Sequence, residues 1–151
     1  MKVREIMTEE VVVVHPRTAV NLIAQLMAGR DISGVPVVDE ADKLVGIVTE
    51  LDMIVRNTRL EPPAFFKILD GRIPLETTGH YKKRIQHMLG ALAADVMTED
   101  VVTIGPDEDV ETLADLMIKR RVNPIPVVDE GGLVGIVSRA DIIKMMARDL
   151  D

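Results

Sequence analysis

Two hydroxyl–carboxylate pairs are the side chains of this sequence whose types and spacing could support chemistry. Thr49 stands three residues before Asp52, and Ser138 stands three residues before Asp141. Each pair directly follows the same apolar run, LVGIV, which is rich in β-branched residues and predicts a strand. The residues after each hydroxyl predict a helix, so both pairs are expected where a strand leads into a helix N-terminus.

Two interpretations of these pairs remain open. In the first, the hydroxyl caps the helix and the acid three residues later accepts from the N-cap amide, which stabilises the helix by about 1 kcal/mol. In the second, the aspartate accepts hydrogen bonds from both hydroxyls of a vicinal diol, as in a ribose, beside helix N–H groups that suit an anion. The roles are compatible, because Thr49 can cap while Asp52 faces a cleft.

Both pairs belong to an internal duplication of the chain. Three blocks recur in the same order: IMTEEVVVVHP with VMTEDVVTIGP, GVPVVDE with PIPVVDE, and LVGIVTELDMI with LVGIVSRADII. Each copy predicts a β-run ended by proline, a helix with an apolar stripe, a two-stranded hairpin and a second helix. The predicted fold class is therefore α/β, built from two β-α-β-β-α repeats.

The duplication also predicts how the chain is divided. We place repeat 1 at residues 1–56, a linker at 57–93 and repeat 2 at 94–151. A repeat of about fifty residues is too small to bury its sheet comfortably alone, so the repeats are expected to pack about a pseudo-twofold axis. Helical spacing in the linker predicts an amphipathic helix that closes the core or contacts a second subunit. The linker contains all the aromatic residues, Phe65, Phe66 and Tyr81.

Composition excludes several classes of protein. The absence of cysteine rules out disulfides, thiolate catalysis and cysteine-based zinc sites, and the formal charge of −7 argues against a nucleic-acid binder. No apolar run approaches membrane-spanning length, and no export signal precedes the repeats, which indicates a cytoplasmic protein. No phosphate-binding loop, metal-binding cluster or nucleophile–base pair appears, so we expect neither an enzyme nor a metal or catalytic cofactor.

The order and duplication of these motifs resemble a tandem cystathionine-β-synthase (CBS) domain pair, over about residues 3–55 and 94–148. The resemblance implies a regulatory module, often a flat disc-like homodimer, that binds AMP, ADP, ATP or S-adenosylmethionine in clefts between the repeats. It implies that Asp52 and Asp141 hold ribose hydroxyls, and that Thr49 and Ser138 contact ribose or phosphate. It also implies an adenine pocket among strand residues, which by position are Val13, Val35, Pro36, Thr103, Ile125 and Pro126.

The two copies differ beside their hydroxyl–acid pairs. Arg139 follows Ser138, whereas Glu50 occupies the corresponding position in repeat 1. A guanidinium beside a helix N-terminus suits a phosphate and a carboxylate does not, so the Ser138/Asp141 cleft is expected to be the better phosphate site. Asn123 is a further candidate ligand contact, and it precedes a strand where some nucleotide-sensing relatives carry basic residues. The lack of those basic residues disfavours tight triphosphate recognition.

The function expected from this resemblance is non-catalytic sensing of an adenosine-containing ligand, with the result passed to an unidentified effector protein. The alternative is a structural dimerisation or scaffold module whose clefts bind no small molecule. Neither the ligand nor the effector is named by any motif in the sequence.

Overall fold

The computed structural model of the chain describes residues 1–58 and 91–150. The predicted linker helix, with Phe65, Phe66 and Tyr81, lies outside the described residues. Repeat 1 contains helix α1 (Val20–Arg30), strands β1 (Gly34–Val38) and β2 (Leu44–Thr49), and helix α2 (Glu50–Thr58). Repeat 2 follows the same order, with α4 (Val110–Arg120), β3 (Ile125–Asp129), β4 (Gly132–Val137) and α5 (Arg139–Asp149). The predicted α/β class with two repeats is confirmed.

The first predicted strand of each repeat is reduced to a single parallel bridge. Val14 pairs with Val37 of β1, and Ile104 pairs with Val127 of β3. The bridge in repeat 1 consists of two backbone hydrogen bonds, Val14 N to Pro36 O at 3.0 Å and Val38 N to Val14 O at 2.9 Å. Each segment reaches a proline two residues later, which lacks the N–H that further pairing would require.

Each hairpin is antiparallel and carries an irregularity at the same place. The register shifts between Val37 and Val38 in repeat 1 and between Val127 and Val128 in repeat 2. Repeat 2 closes its hairpin through Glu130 and Gly131, whose φ values of 50° and 81° are those of a two-residue type I′ turn. Repeat 1 uses a longer turn, which accounts for the one-residue slip between the duplicated sequences.

Each repeat has its own hydrophobic core between its helices and its hairpin. The predicted helix stripes face these cores, since Ile23 of α1 and Leu113 of α4 are both fully buried. The central valines of the hairpins are equally buried, because β1 and β3 are covered on both faces. Fully buried side chains of the two cores include Val35, Val37, Val48, Ile125, Val127 and Val137.

The segment at the N-terminal end of each repeat packs on the other repeat. A 3-10 turn (Val3–Glu5) places Val3, which is fully buried, in the core of repeat 2. The short helix α3 (Ala93–Val96) likewise places Ala93, also fully buried, in the core of repeat 1. Backbone hydrogen bonds fix both exchanges, from Val3 N to Glu108 O at 2.9 Å and from Ala93 N to Thr18 O at 2.8 Å. This reciprocal exchange relates the repeats by the pseudo-twofold axis.

Glycine in each LVGIV run makes room for the exchanged segment. A Cβ on Gly46 would lie 3.2 Å from the Thr98 carbonyl oxygen and 2.5 Å from the Met97 sulfur. A Cβ on Gly135 would meet Thr8 and Met7 in the same way, at 3.1 Å and 2.5 Å. These contacts are closer than a side chain tolerates, so the glycines serve the packing between repeats.

Two surface ion pairs accompany the N-terminal exchange. The Lys2 ammonium lies 2.9 Å from a carboxylate oxygen of Asp109, and Arg4 pairs with Asp107. The hydrogen bond and charge of Lys2 lower the pKa of Asp109, and Asp109 raises the pKa of Lys2 in return. Both partners are largely exposed, so they contribute little to stability and serve mainly to orient the segment. None of the described helices has the length and apolar character needed to cross a membrane.

Candidate ligand-binding cleft

A cleft of about 470 Å³ lies between the two repeats, beside the start of α5. Repeat 1 supplies one wall through Val11, Val12 and Ile32, and the exchanged N-terminal segment adds Thr8. Repeat 2 supplies the facing wall through residues 138–141 and Lys144. Because both repeats line it, a molecule held in this cleft would contact both halves of the protein.

The Ser138–Asp141 pair lies at the wall formed by repeat 2 and is half-buried. Ser138 is the N-cap residue of α5, and its backbone N–H donates to Asp141 Oδ2 at 2.8 Å. The Ser138 hydroxyl donates to the same oxygen at 3.2 Å. Among the described residues, Asp141 Oδ1 accepts no hydrogen bond. The capping role is therefore present, and it leaves one carboxylate oxygen available to a ligand.

Asn123 holds the start of α5 against repeat 1. Its Oδ1 accepts from the backbone N–H of Arg139 at 2.8 Å, and its Nδ2 donates to the Ser33 hydroxyl at 3.3 Å. The first bond satisfies one of the N–H groups that a helix N-terminus leaves without an intrahelical partner. Asn123 lines the cleft as predicted, but both ends of its amide are engaged by protein groups.

Charged side chains of both signs line the cleft. The basic residues are Arg30, Arg139 and Lys144, and the acidic ones are Glu10, Asp31, Glu50 and Asp141. Within the described ranges, none of the three basic side chains forms an ion pair. Because the charges nearly cancel, attraction of an anion would depend on its distance to individual basic groups and not on the field of the whole cleft.

The residues that the resemblance implies as adenine contacts lie outside this cleft, and their role stays a prediction. Val35, Pro36, Ile125 and Pro126 have almost no exposed surface, because β1 and β3 are covered on both faces. They therefore do not line this cleft, and neither do the exposed Val13 and Thr103.

The apolar wall is formed by residues close to the predicted ones. Val11, Val12 and Ile32 line the cleft, whereas the sequence had suggested strand residues for this apolar surface. The apolar run VVVV was the available signal for the first two, and no sequence signal pointed to Ile32.

The Thr49–Asp52 pair has the same capping geometry and one additional bond. The Thr49 N–H and hydroxyl donate to Asp52 Oδ2 at 3.0 Å and 3.1 Å, and Asp52 N–H donates to the Thr49 hydroxyl at 3.3 Å. The Thr98 hydroxyl donates to the other oxygen, Asp52 Oδ1, at 3.0 Å. Both oxygens of this carboxylate are thus engaged, in contrast to Asp141. Glu50, the residue after Thr49, lines the cleft beside Asp141.

No group of three or more potential metal-ligating side chains occurs in the part of the chain that the structure describes. The residues that line the cleft offer a ligand hydrogen-bonding groups, apolar surface and the charges named above.

Comparison with known proteins places this arrangement in a family. The model of the CBS domain matches residues 3–56 and again residues 93–148. An uncharacterized protein of Methanocaldococcus jannaschii, MJ1426, is 32% identical over 156 residues, which covers 97% of this chain and 91% of that protein. The inosine-5′-monophosphate dehydrogenase of the same organism is 33% identical over 144 residues, but the match spans 23% of the enzyme.

A solved structure shares the fold over nearly the whole chain. The CBS domain pair of protein MJ0100, in complex with 5′-methylthioadenosine and S-adenosyl-L-methionine, matches with a TM-score of 0.71 and 25% identity. The match covers 99% of this chain and 98% of that one. From the two matched regions and the shared fold, the chain belongs to the CBS-domain family and carries a pair of CBS domains.

Proposed function

We propose that this chain is a non-catalytic regulatory module that binds an adenosine-containing ligand in the cleft beside Asp141. The observation that carries the proposal is the half-satisfied Asp141 carboxylate, which caps α5 with one oxygen and leaves the other without a described partner. The complex of the MJ0100 domain pair with 5′-methylthioadenosine and S-adenosyl-L-methionine supports this class of ligand.

The residues of the cleft suit the parts of an adenosine. A ribose diol can donate to Asp141, since a carboxylate accepts several hydrogen bonds. Val11, Val12 and Ile32 offer apolar surface to a base. Arg139, at the first turn of α5, and the hydroxyl of Ser138 suit a phosphate or another acidic substituent.

Ligand binding in this cleft would act on the arrangement of the repeats. The two walls come from different repeats, so a ligand that contacts both favours the arrangement in which the walls stand at the right distance. We propose that an effector protein responds to this change.

A second candidate function is a dimerisation scaffold whose clefts bind no small molecule. Exposed apolar side chains on the two C-terminal helices of the repeats favour an interface with a second copy. Leu51 and Ile54 on α2 are 63% and 58% exposed, and Ile143 and Met146 on α5 are 62% and 54% exposed. A homodimer is compatible with both candidates, so only ligand binding distinguishes them.

The proposal is tested by calorimetric and thermal-shift titration with AMP, ADP, ATP, S-adenosylmethionine and 5′-methylthioadenosine. At a ligand concentration a hundredfold above Kd, stabilisation should approach about 2.7 kcal/mol. We expect Asp141→Ala to weaken binding at least tenfold, because a hydrogen bond to a charged group contributes about 1.5–3 kcal/mol.

Asp52→Ala is the matched control, because it removes the corresponding carboxylate of repeat 1. We expect a smaller loss of affinity from it than from Asp141→Ala. A larger loss from Asp52→Ala would contradict the placement of the ligand beside Asp141. The absence of binding by every compound would leave the scaffold function.

A further inference from the structure

We infer that Thr98 disfavours ligand binding at the Asp52 copy of the site, because its hydroxyl competes with a ribose hydroxyl for the carboxylate oxygen that the helix cap leaves available. The inference rests on the proposed function and adds which copy is used. It predicts one ligand per chain, bound at Asp141, although both hydroxyl–acid pairs are intact in the sequence.

The hydrogen bonds on the two carboxylates carry this inference. Asp52 Oδ2 is engaged by Thr49, and Asp52 Oδ1 accepts from the Thr98 hydroxyl at 3.0 Å. Asp141 Oδ2 is engaged by Ser138 in the same way, but Thr8, which corresponds to Thr98, forms no hydrogen bond with Asp141. A diol that approaches Asp52 must compete with a protein hydroxyl for Oδ1, whereas Oδ1 of Asp141 has no partner among the described residues.

The backbone holds Thr98 in this position. Thr98 N donates to Ile47 O at 2.9 Å, and Ile47 N donates to Thr98 O at 3.0 Å. Thr8 is held by the equivalent pair with Ile136, at 2.9 Å and 3.0 Å. The main-chain anchors of the two threonines are therefore alike, and the difference lies in the side-chain hydroxyl alone.

The charges beside the two pairs do not carry this inference. Glu50 and Arg139, the first residues of α2 and α5, both line the cleft beside Asp141. Adenosine has the diol without the phosphate, so its binding tests the two carboxylates without the effect of a phosphate charge.

The inference is tested by calorimetric titration of the full chain with AMP and with adenosine. The forms compared are the wild type, Asp141→Ala, and Asp141→Ala combined with Thr98→Val or with Thr98→Ser. Valine keeps the shape of threonine and removes the hydroxyl, and serine keeps the hydroxyl. We expect one ligand per wild-type chain, at least tenfold weaker binding by Asp141→Ala, and about a tenfold gain over that variant when Thr98→Val is added.

In the Asp141→Ala background, Thr98→Ser should give no such gain in affinity. Adding Asp52→Ala to the form with Asp141→Ala and Thr98→Val should abolish the gain. Thr98→Ala is a second variant without the hydroxyl, to be used if valine impairs folding. If the wild type binds neither probe nor any of the other compounds titrated above, the proposed function itself fails. If the wild type binds but neither Thr98 variant improves on Asp141→Ala, or if two ligands bind the wild type equally well, the role of Thr98 is refuted and the proposed function stands.

Discussion

At the scale of single residues, Asn123 shows how the cleft is kept in shape by bonds that do not involve a ligand. One side-chain amide joins the first N–H of α5 to the Ser33 hydroxyl of the other repeat. The distances differ, 2.8 Å to Arg139 N and 3.3 Å to Ser33 Oγ, so the bond to the helix is the stronger one. Contact of Asn123 with a ligand stays a prediction, and its observed bonds hold the backbone N–H of Arg139 and the Ser33 hydroxyl.

We predict that Asn123→Ala lowers the free energy of unfolding by about 1–2 kcal/mol, because α5 loses an accepting partner at its N-terminus. Urea denaturation monitored by circular dichroism measures this loss. Ser33→Ala is the control, since it removes only the longer bond and should cost less than about 1 kcal/mol. Equal losses from the two substitutions would show that the bridge between repeats, and not the helix N-terminus, is what Asn123 supports.

At the scale of elements, the reciprocal exchange places the N-terminal segment of each repeat in the hydrophobic core of the other repeat. The 3-10 turn at the N-terminus belongs structurally to repeat 2, because Val3 contacts the cluster that contains Leu113 and Ile125. The same segment continues to Thr8, which lines the candidate cleft. Packing of the exchanged segment and the shape of the cleft are therefore linked.

We predict that Val3→Ala destabilises the protein by about 2 kcal/mol, through lost burial and the cavity that remains. Val13→Ala is a matched control, because Val13 is 38% exposed and its truncation should have a much smaller effect. The midpoints and slopes of urea denaturation curves give both values. A loss from Val3→Ala no greater than that from Val13→Ala would contradict the burial of the exchanged segment.

At the scale of the whole molecule, the exchange makes the two repeats interdependent. Repeat 1 lacks Ala93 and Val96 if the second exchanged segment detaches, and repeat 2 lacks Val3 if the first one does. Neither hydrophobic core is complete within one continuous stretch of chain. Small domains of this size unfold cooperatively when their cores are shared in this way.

We therefore predict a single unfolding transition for the full chain. Hydrogen exchange of the backbone amides in β1 and in β3 measures the stability of each repeat separately. Val3→Ala, although it touches only the core of repeat 2, should reduce protection in both strands by the same free energy. Loss of protection confined to β3 would mean that the repeats unfold independently.

The sequence by itself determined the repeated architecture. Apolar spacing placed Ile23 and Leu113 on buried helix faces, and β-branched runs with short polar turns predicted both hairpins, because these signals act between near neighbours in the chain. The hydroxyl–acid spacing likewise predicted the capping geometry, which lies within a single helical turn.

Only the tertiary structure decided which residues meet across the repeats and which ones line the cleft. The exchange of Val3 and Ala93, the apolar wall formed by Val12 and Ile32, and the bond from Thr98 to Asp52 all join segments far apart in sequence. The letters MT precede both β-runs, so nothing local distinguishes Thr98 from Thr8. Which hydroxyl reaches a carboxylate depends on how the two halves pack, and that packing sums many weak contacts that no short motif records.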